Sequence, residues 1–282
     1  MWHERRAGPL QTRSRRSPQG EGFPVSVWRS WLGLLVGLCL HSCAMAQQAE
    51  PRRSGFDAMG AALQAMQRDD SQNPAMLWVK DAEQLWSRGA GVSGKSCADC
   101  HGPVAASMRG VAARYPVFDT AGARPINLGQ RINQCVQQRQ QAPALAAESA
   151  ALLGLETLVA QQSRGLSVQA ASDTRLAPFL AQGQALYGMR MGQLNLSCAQ
   201  CHEERAGQRL GGSVLVQGHA TGYPTYRLEW QALGSLQRRL RNCMSGIRAE
   251  PFAYGSVELV ALELFLARRS AGMLMETPAI RP

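Results

Sequence analysis

The feature that most constrains this 282-residue chain is the motif Cys-x-x-Cys-His, which occurs twice. The copies are Cys97-Ala-Asp-Cys100-His101 and Cys198-Ala-Gln-Cys201-His202. CxxCH is the attachment motif of c-type haem: both thiols bond to the porphyrin, and the histidine is placed to coordinate the iron. A redox dithiol or half of a zinc site is the alternative for a single copy, and the second copy argues against it. We therefore predict two covalently bound haem c groups.

The two motifs belong to two copies of a longer pattern. Leu85-Trp86 and Leu186-Tyr187 each begin twelve residues before the first motif cysteine. Tyr115-Pro116 and Tyr223-Pro224 each begin twenty residues before a lone cysteine, Cys135 or Cys243. An arginine, Arg131 or Arg239, falls four residues before each of these cysteines. The chain is therefore predicted to be an internal duplication, with one domain at 47–170, a second at 171–282 and a join near 165–174.

Each copy reads as helices. Segments 81–87 and 177–187 favour opening helices, and Pro178 suits a first helical position. Segments 152–161 and 257–268 carry apolar residues at three- and four-residue spacing, which favours closing helices. Alternating strand patterns are scarce. The predicted fold is all-α, with two tandem cytochrome c-like domains that each hold one covalent haem.

The N-terminus has the pattern of an export signal. Arg29 precedes an apolar run at 31–40, and Ala44-Met45-Ala46 provides a small-residue cleavage site. Residues 1–46 are therefore predicted to be a signal peptide, which places the mature chain in the periplasm. Lipid anchoring at Cys43 is an alternative, although His41 fits a lipobox poorly. No other apolar stretch is long enough to span a membrane, so no transmembrane segment is expected after cleavage.

The sequence also limits which residues can ligate each iron on the side away from the motif histidine. After the predicted cleavage only one histidine, His219, lies outside the motifs, so two bis-histidine sites are excluded. Methionines occur, but none recurs at equivalent places, whereas Cys135 and Cys243 do. A thiolate ligand stabilises ferric iron and lowers the potential. Two alternatives stay open: that these cysteines are small buried hydrophobes, or that they form a disulfide with each other.

Arginines crowd around Cys243. Arg238, Arg239, Arg241 and Arg248 all lie within five residues of it. Nearby cations favour thiolate and would bind a small dianion beside the sulfur. Arg239 shares a helix face with Cys243 if the segment is helical, so we favour a functional role for it. A partly structural role is the alternative, because Arg131 occupies the same place beside Cys135. Arg238 and Arg241 are assigned to haem propionates or to solvent. The formal net charge is +10 without an arginine-rich tract, so nucleic acid is not predicted.

The motifs described above resemble those of a known family. The paired CxxCH motifs, the segment 222–227 and the motif Arg239-x-x-x-Cys243-Met-x-x-x-Arg248 are similar to SoxA. SoxA is the dihaem subunit of the sulfur-oxidising cytochrome complex SoxAX. The resemblance implies L-cysteine S-thiosulfotransferase activity, in which thiosulfate is joined oxidatively to a cysteine of the carrier SoxYZ. It also implies a monohaem partner, SoxX, and an electron-accepting cytochrome c.

The resemblance assigns roles to residues of this chain. Cys243 would be the catalytic cysteine, found in the family as a persulfide, and the distal ligand of the second haem. Arg239 would bind substrate, and we place Arg248 with it. His101 and Cys135 would ligate the first iron, and His202 the second. The main alternative is a dihaem electron-transfer cytochrome without group-transfer chemistry. A dihaem peroxidase and a tetrathionate-forming cytochrome are further alternatives.

Overall fold

The computed structural model describes residues 51–169 and 171–282, so the predicted signal peptide lies outside the described residues. Within this part, Arg52–Pro282 forms one compact unit. Its α-helices are α1 (Ala61–Arg68), α2 (Ala75–Ser87), α3 (Cys97–His101), α4 (Val104–Ser107), α5 (Leu128–Gln138), α6 (Ala150–Gln161), α7 (Ala177–Gly188), α8 (Cys198–His202), α9 (Leu236–Gly246) and α10 (Val257–Arg269). None of these helices is long and apolar enough to cross a membrane.

The helix order repeats. Helices α2, α3, α5 and α6 of the first half correspond to α7, α8, α9 and α10 of the second. In each half the helices are an opening helix, a CxxCH helix, a helix with the lone cysteine and a closing helix. The predicted opening and closing helices are therefore confirmed, as is the helical conformation of the segment that holds Arg239 and Cys243. The first opening helix begins six residues earlier than predicted, at Ala75.

The opening and closing helices of each half pack against each other and form its core. In the first half Val79, Trp86 and Leu158 are buried between α2 and α6. In the second half Tyr187 and Leu259 are buried between α7 and α10. A small residue at each crossing lets the two backbones approach closely. In the first half it is Gly154 on the closing helix, and in the second it is Gly183 on the opening helix.

The all-α prediction is wrong in one respect, because the described residues include seven short strands. These are β1 (Val117–Asp119), β2 (Arg124–Ile126), β3 (Arg209–Leu210), β4 (Ser213–Val214), β5 (Thr225–Arg227), β6 (Ala232–Gly234) and β7 (Ala279–Arg281). Strands of two or three residues are too short to produce a recognisable alternation of polar and apolar residues. The fold is therefore mostly helical, with one hairpin, β1–β2 or β5–β6, before each cysteine helix.

The two halves are packed across each other. Closing helix α10 contacts β2 of the first hairpin, and α6 contacts β6 of the second. The C-terminal strand β7 pairs in parallel with β5. Where the join was predicted, Gly165 and Val168 donate backbone hydrogen bonds to Met275 and Met273 near the C-terminus. This mutual packing explains why Arg52–Pro282 behaves as one unit.

Candidate functional site

The two CxxCH motifs form short helices with the same N-terminal cap. Ser96 caps α3, and its hydroxyl accepts a hydrogen bond from the backbone N–H of Asp99, whose carboxylate accepts one from the Ser96 N–H in return. Ser197 and Gln200 repeat this capping box in α8. A capping box satisfies two otherwise unpaired donors at the start of a helix. Each motif is thereby held as one helical turn, with its cysteines and histidine in a fixed order.

The ring of His202 is oriented by its surroundings. Its Nδ1 lies 2.7 Å from the carbonyl oxygen of Val216. An N–H at Nδ1 that donates to this carbonyl leaves Nε2 free to ligate a metal, which is how ligating histidines are commonly held. Gly218 packs against the same ring, and a Cβ at this position would lie 3.1 Å from His202 Cγ.

The lone cysteines lie on equivalent helices, Cys135 on α5 and Cys243 on α9. Cys135 interacts electrostatically with the motif residue Cys97, and Cys243 does so with Cys198. Each lone thiol therefore lies close enough to its own motif for the two sites to interact. All six cysteines of the described part are free, so a Cys135–Cys243 disulfide is excluded there.

A glycine holds the motif and the lone-cysteine helix together in each half. Gly91 and Gly192 precede the two motifs at equivalent positions, with φ of +63° and +68°. A Cβ on Gly91 would lie 2.1 Å from the carbonyl oxygen of Gln140, and one on Gly192 would lie 2.2 Å from that of Ile247. Only glycine combines this backbone conformation with such close approach. The loop before each motif is thus pinned against the end of its cysteine helix.

These residues fit a covalent haem better than a bare metal ion. Within the described residues no group of three or more His, Cys, Asp and Glu side chains is arranged to hold a metal ion. In the second half, two free motif thiols, an oriented imidazole and a third free thiol are the donor set of a haem c with thiolate ligation.

Cys243 lies in a cationic environment. Burial raises the pKa of the Cys243 thiol. A hydrogen bond with His202 and the charges of Arg239, His202 and Arg227 lower it by more, so the pKa falls below its usual value. The motif thiol Cys198 behaves differently, because burial and the charge of Cys243 raise its pKa to about 11. The surroundings of Cys243 therefore favour its thiolate form, whereas those of Cys198 disfavour it.

The arginines around Cys243 separate into groups. Arg239 is half-buried on α9, and its charge acts on Cys243. Arg238 lies over the ring of Trp230, 4.1 Å from its centroid, and Arg241 lies over that of Tyr254 at 4.5 Å. Both guanidiniums therefore contact aromatic rings, whereas the sequence analysis assigned them to haem propionates or to solvent. Arg248 is exposed after α9 and donates to Gln193 at 3.5 Å.

One residue of the site was missed by the sequence analysis. Arg227, at the end of β5, adds its charge to that of Arg239 at Cys243. The signal was present in the sequence, because Arg227 lies four residues after Tyr223 and Asp119 lies four residues after Tyr115. If the alignment of the two repeats is extended three residues beyond Tyr-Pro, Arg227 aligns with Asp119, and the two repeats differ in charge at this position.

Comparison with known proteins agrees with this geometry. The family described as SoxA/TsdA, cytochrome c domain, matches residues 81–168 and 182–275, which together are more than half of the chain. The chain belongs to this family. The two matched segments correspond to the two halves defined by the repeated helices.

Individual members of the SoxA/TsdA family give the same result. An L-cysteine S-thiosulfotransferase subunit SoxA of Rhodovulum sulfidophilum is 37% identical over 237 residues, covering 84% of this chain and 83% of that one. The subunit of the same name from Pseudaminobacter salicylatoxidans is 37% identical over 229 residues, covering 81% and 80%. The solved structure of SoxXA from P. pantotrophus has a TM-score of 0.79 and 35% identity, covering 82% of this chain and 87% of that one.

Proposed function

We propose that this chain is the SoxA-type subunit of an L-cysteine S-thiosulfotransferase, which joins thiosulfate oxidatively to a cysteine of a sulfur-carrier protein. Relatives 37% identical over most of the chain carry this name. The observation that carries the proposal is the placement of Cys243 one helical turn after Arg239 on α9, where the guanidinium charge acts on the thiol. A plain electron carrier has no use for such a thiolate and cation pair.

Two haem c groups are assigned to the chain. Cys97 and Cys100 hold the first and Cys198 and Cys201 the second, in keeping with the free thiols of the two capped helices. His101 and Cys135 would ligate the first iron, and His202 and Cys243 would ligate the second. When bound, haem c supplies an iron centre that accepts electrons.

The residues around Cys243 perform the group transfer. Arg239 binds the anionic oxygens of thiosulfate and places its outer sulfur against the Cys243 sulfur. Bond formation between the Cys243 sulfur and the outer sulfur of thiosulfate gives an S-thiosulfonate on Cys243. The thiolate and thiosulfate together lose two electrons, which the electron-accepting cytochrome c partner takes up in two one-electron steps. A thiolate of the carrier then attacks the former outer sulfur of thiosulfate, which is now bonded to the Cys243 sulfur. The Cys243–sulfur bond breaks, the carrier leaves as its S-thiosulfonate, and Cys243 returns as thiolate.

The surroundings follow from this function. The partners are a SoxX-like monohaem cytochrome, a SoxYZ-like carrier and an electron-accepting cytochrome c, and the substrate is thiosulfate. The related solved structure is one of SoxXA, which supports the first of these partners. Residues 1–46 act as a signal peptide for the periplasm, 47–170 form the domain of the first haem, and 171–282 form the domain of the second haem with the active site.

The test compares two serine variants of the haem-loaded complex. Cys243→Ser is expected to abolish thiosulfate-dependent mass addition to the carrier cysteine, because the acceptor sulfur is lost. Cys135→Ser changes the equivalent cysteine of the first half and is expected to retain the addition. Both variants are checked for haem content and thermal midpoint. Wild-type turnover in Cys243→Ser would show that Cys243 is only a ligand and would favour an electron-transfer role.

A further inference from the structure

The two hairpins place residues of opposite charge at one equivalent position. Asp119 ends β1 and pairs across the hairpin with Arg124, and Arg227 ends β5 and pairs with Ala232 in the same register. The hairpins lead into the helices of Cys135 and Cys243 respectively. A carboxylate in the first half is therefore replaced by a guanidinium in the second, at the position that faces the arginine four residues before each cysteine.

In the first half the two charges neutralise each other. Arg131 Nη2 lies 3.5 Å from Asp119 Oδ1, and the Asp119 side chain is only 8% exposed. Asp119 is also fixed by the backbone N–H of Gly122, which donates to it at 2.8 Å. Arg131 Nη1 donates to Gln134 at 2.7 Å. The guanidinium beside Cys135 is thus already occupied.

In the second half the corresponding arginine has no such partner. No carboxylate of the described residues lies within ion-pair distance of Arg239, and Arg227 stands where the acid would be. Burial lowers the pKa of Arg227, and the charge of Arg239 lowers it further. Two cations that face each other without an anion between them are unfavourable, so the arrangement fits a site that a negative ligand completes.

Arg227 also carries an unused donor. Its Nε is buried and has no hydrogen-bond partner, while its Nη2 lies 3.1 Å from Glu229, which is 62% exposed. An unpaired buried donor costs free energy, and the cost is recovered when an acceptor binds. The guanidinium also lies over the ring of Trp230, 5.1 Å from its centroid, a contact that leaves Nε without an acceptor. This Nε belongs to the side chain whose charge acts on Cys243.

We propose that Arg227 and Arg239 together form a dianion subsite beside Cys243, in which both guanidiniums bind the sulfonate oxygens of thiosulfate. The proposal rests on the proposed function and specifies how its substrate is recognised. Arg227 is the specificity-determining residue, because it is the position at which the two halves differ in charge. The Asp119–Arg131 pair keeps the equivalent space beside Cys135 closed to dianions.

The test measures binding separately from turnover. Equilibrium dialysis of labelled thiosulfate against the haem-loaded complex, without carrier protein, gives the dissociation constant. Arg227→Gln is expected to raise it about 10- to 100-fold, the usual effect of losing a charge-assisted hydrogen bond. Arg227→Asp recreates the pair of the first half, and we expect no measurable binding. In turnover, Arg227→Gln should raise KM far more than it lowers kcat.

Matched controls separate the subsite from general charge and from folding. Arg205→Gln removes an exposed cation of the same half, 50% exposed and paired with Glu204, and should bind thiosulfate within twofold of wild type. Haem content and thermal midpoint verify that the Arg227 variants fold. Arg227→Gln binding within twofold of wild type would overturn the proposal. So would a changed midpoint potential of the second haem with unchanged binding, since Arg227 would then serve a haem propionate.

The outcome also separates this proposal from the function on which it rests. A wild-type complex that loads the carrier, with an Arg227→Gln variant that binds thiosulfate equally well, refutes only the subsite. A wild-type complex that neither binds thiosulfate nor loads the carrier refutes the function and the subsite with it.

Discussion

Glu156 and Glu263 occupy equivalent positions on the two closing helices, and both line a cavity of about 300 Å³ between the halves of the molecule. Burial raises the pKa of Glu156 to about 8, and the nearby charges of Glu263 and Glu148 add to the effect. Burial likewise raises the pKa of Glu263 to about 7, opposed by hydrogen bonds from Asn127 and Gln237. The cavity thus holds carboxyl groups that keep their protons when the protein is folded.

These two carboxyls should make the folded protein less stable as the pH rises. The unfolded chain releases their protons near pH 4.5, whereas the folded chain retains them until pH 7 to 8. Stability is therefore lost progressively across this window and is level above it. Glu156→Gln removes one titrating group and should be more stable than wild type by roughly 1–3 kcal/mol at pH 8, with little difference at pH 5. Thermal midpoints of the haem-loaded protein at the two pH values measure this.

A surface glutamate provides the control for that comparison. Glu83 is exposed on α2, and Glu83→Gln should follow the wild-type dependence on pH. If the thermal midpoint of Glu156→Gln changed between pH 5 and pH 8 as much as that of wild type, Glu156 would not keep its proton in the folded protein.

Haem stoichiometry tests the duplication directly. Replacing Cys97 and Cys100 together with alanine should remove one haem, because both thioether bonds of the first half are lost. Replacing Cys198 and Cys201 should remove the other. Intact mass of the exported protein and the pyridine haemochrome absorbance count the groups. A wild-type protein with one haem, or a double variant that keeps two, would contradict the assignment.

The sequence predicted most of the helical framework because its signals are local. A fixed motif, a repeated spacing and a three- to four-residue period placed α7, α6 and α10 nearly to the residue. The hairpins and the charge at Arg227 were not predicted, for a physical reason. A three-residue strand is defined by its partner, as β5 is by β6 and β7, and the partner is not apparent from local pattern. The identity of Arg239's neighbour depends on that pairing.

The Asp119–Arg131 pair should contribute to the stability of the first half but not to substrate binding. Asp119→Asn removes the charge from a carboxylate that is 8% exposed and leaves Arg131 without its anion. We expect a loss of about 1–2 kcal/mol, because the buried carboxylate loses its charge and Arg131, which is 38% exposed, loses its anion. Asp70→Asn breaks the exposed pair with Arg164 and should cost less than ~0.5 kcal/mol. Chemical denaturation compares the two, and an equal loss in both would show that burial of Asp119 adds nothing.

The close crossing of α7 and α10 depends on Gly183. A Cβ at this position would lie 2.0 Å from the carbonyl oxygen of Ala261, which is backbone of the opposite helix and cannot turn away. Gly183→Ala should therefore force the helices apart and lower stability by about 1–3 kcal/mol, although alanine is intrinsically the better helix former.

Gly188, at the end of the same helix, has nothing within 4 Å of its Cβ position, so Gly188→Ala should be neutral or slightly stabilising. Thermal midpoints measure both variants. Since Cys198 and Ala199 of the second CxxCH helix pack against the core between α7 and α10, Gly183→Ala should also broaden the spectrum of the second haem. A Gly183→Ala protein as stable as Gly188→Ala would show that the crossing is looser than its backbone geometry indicates.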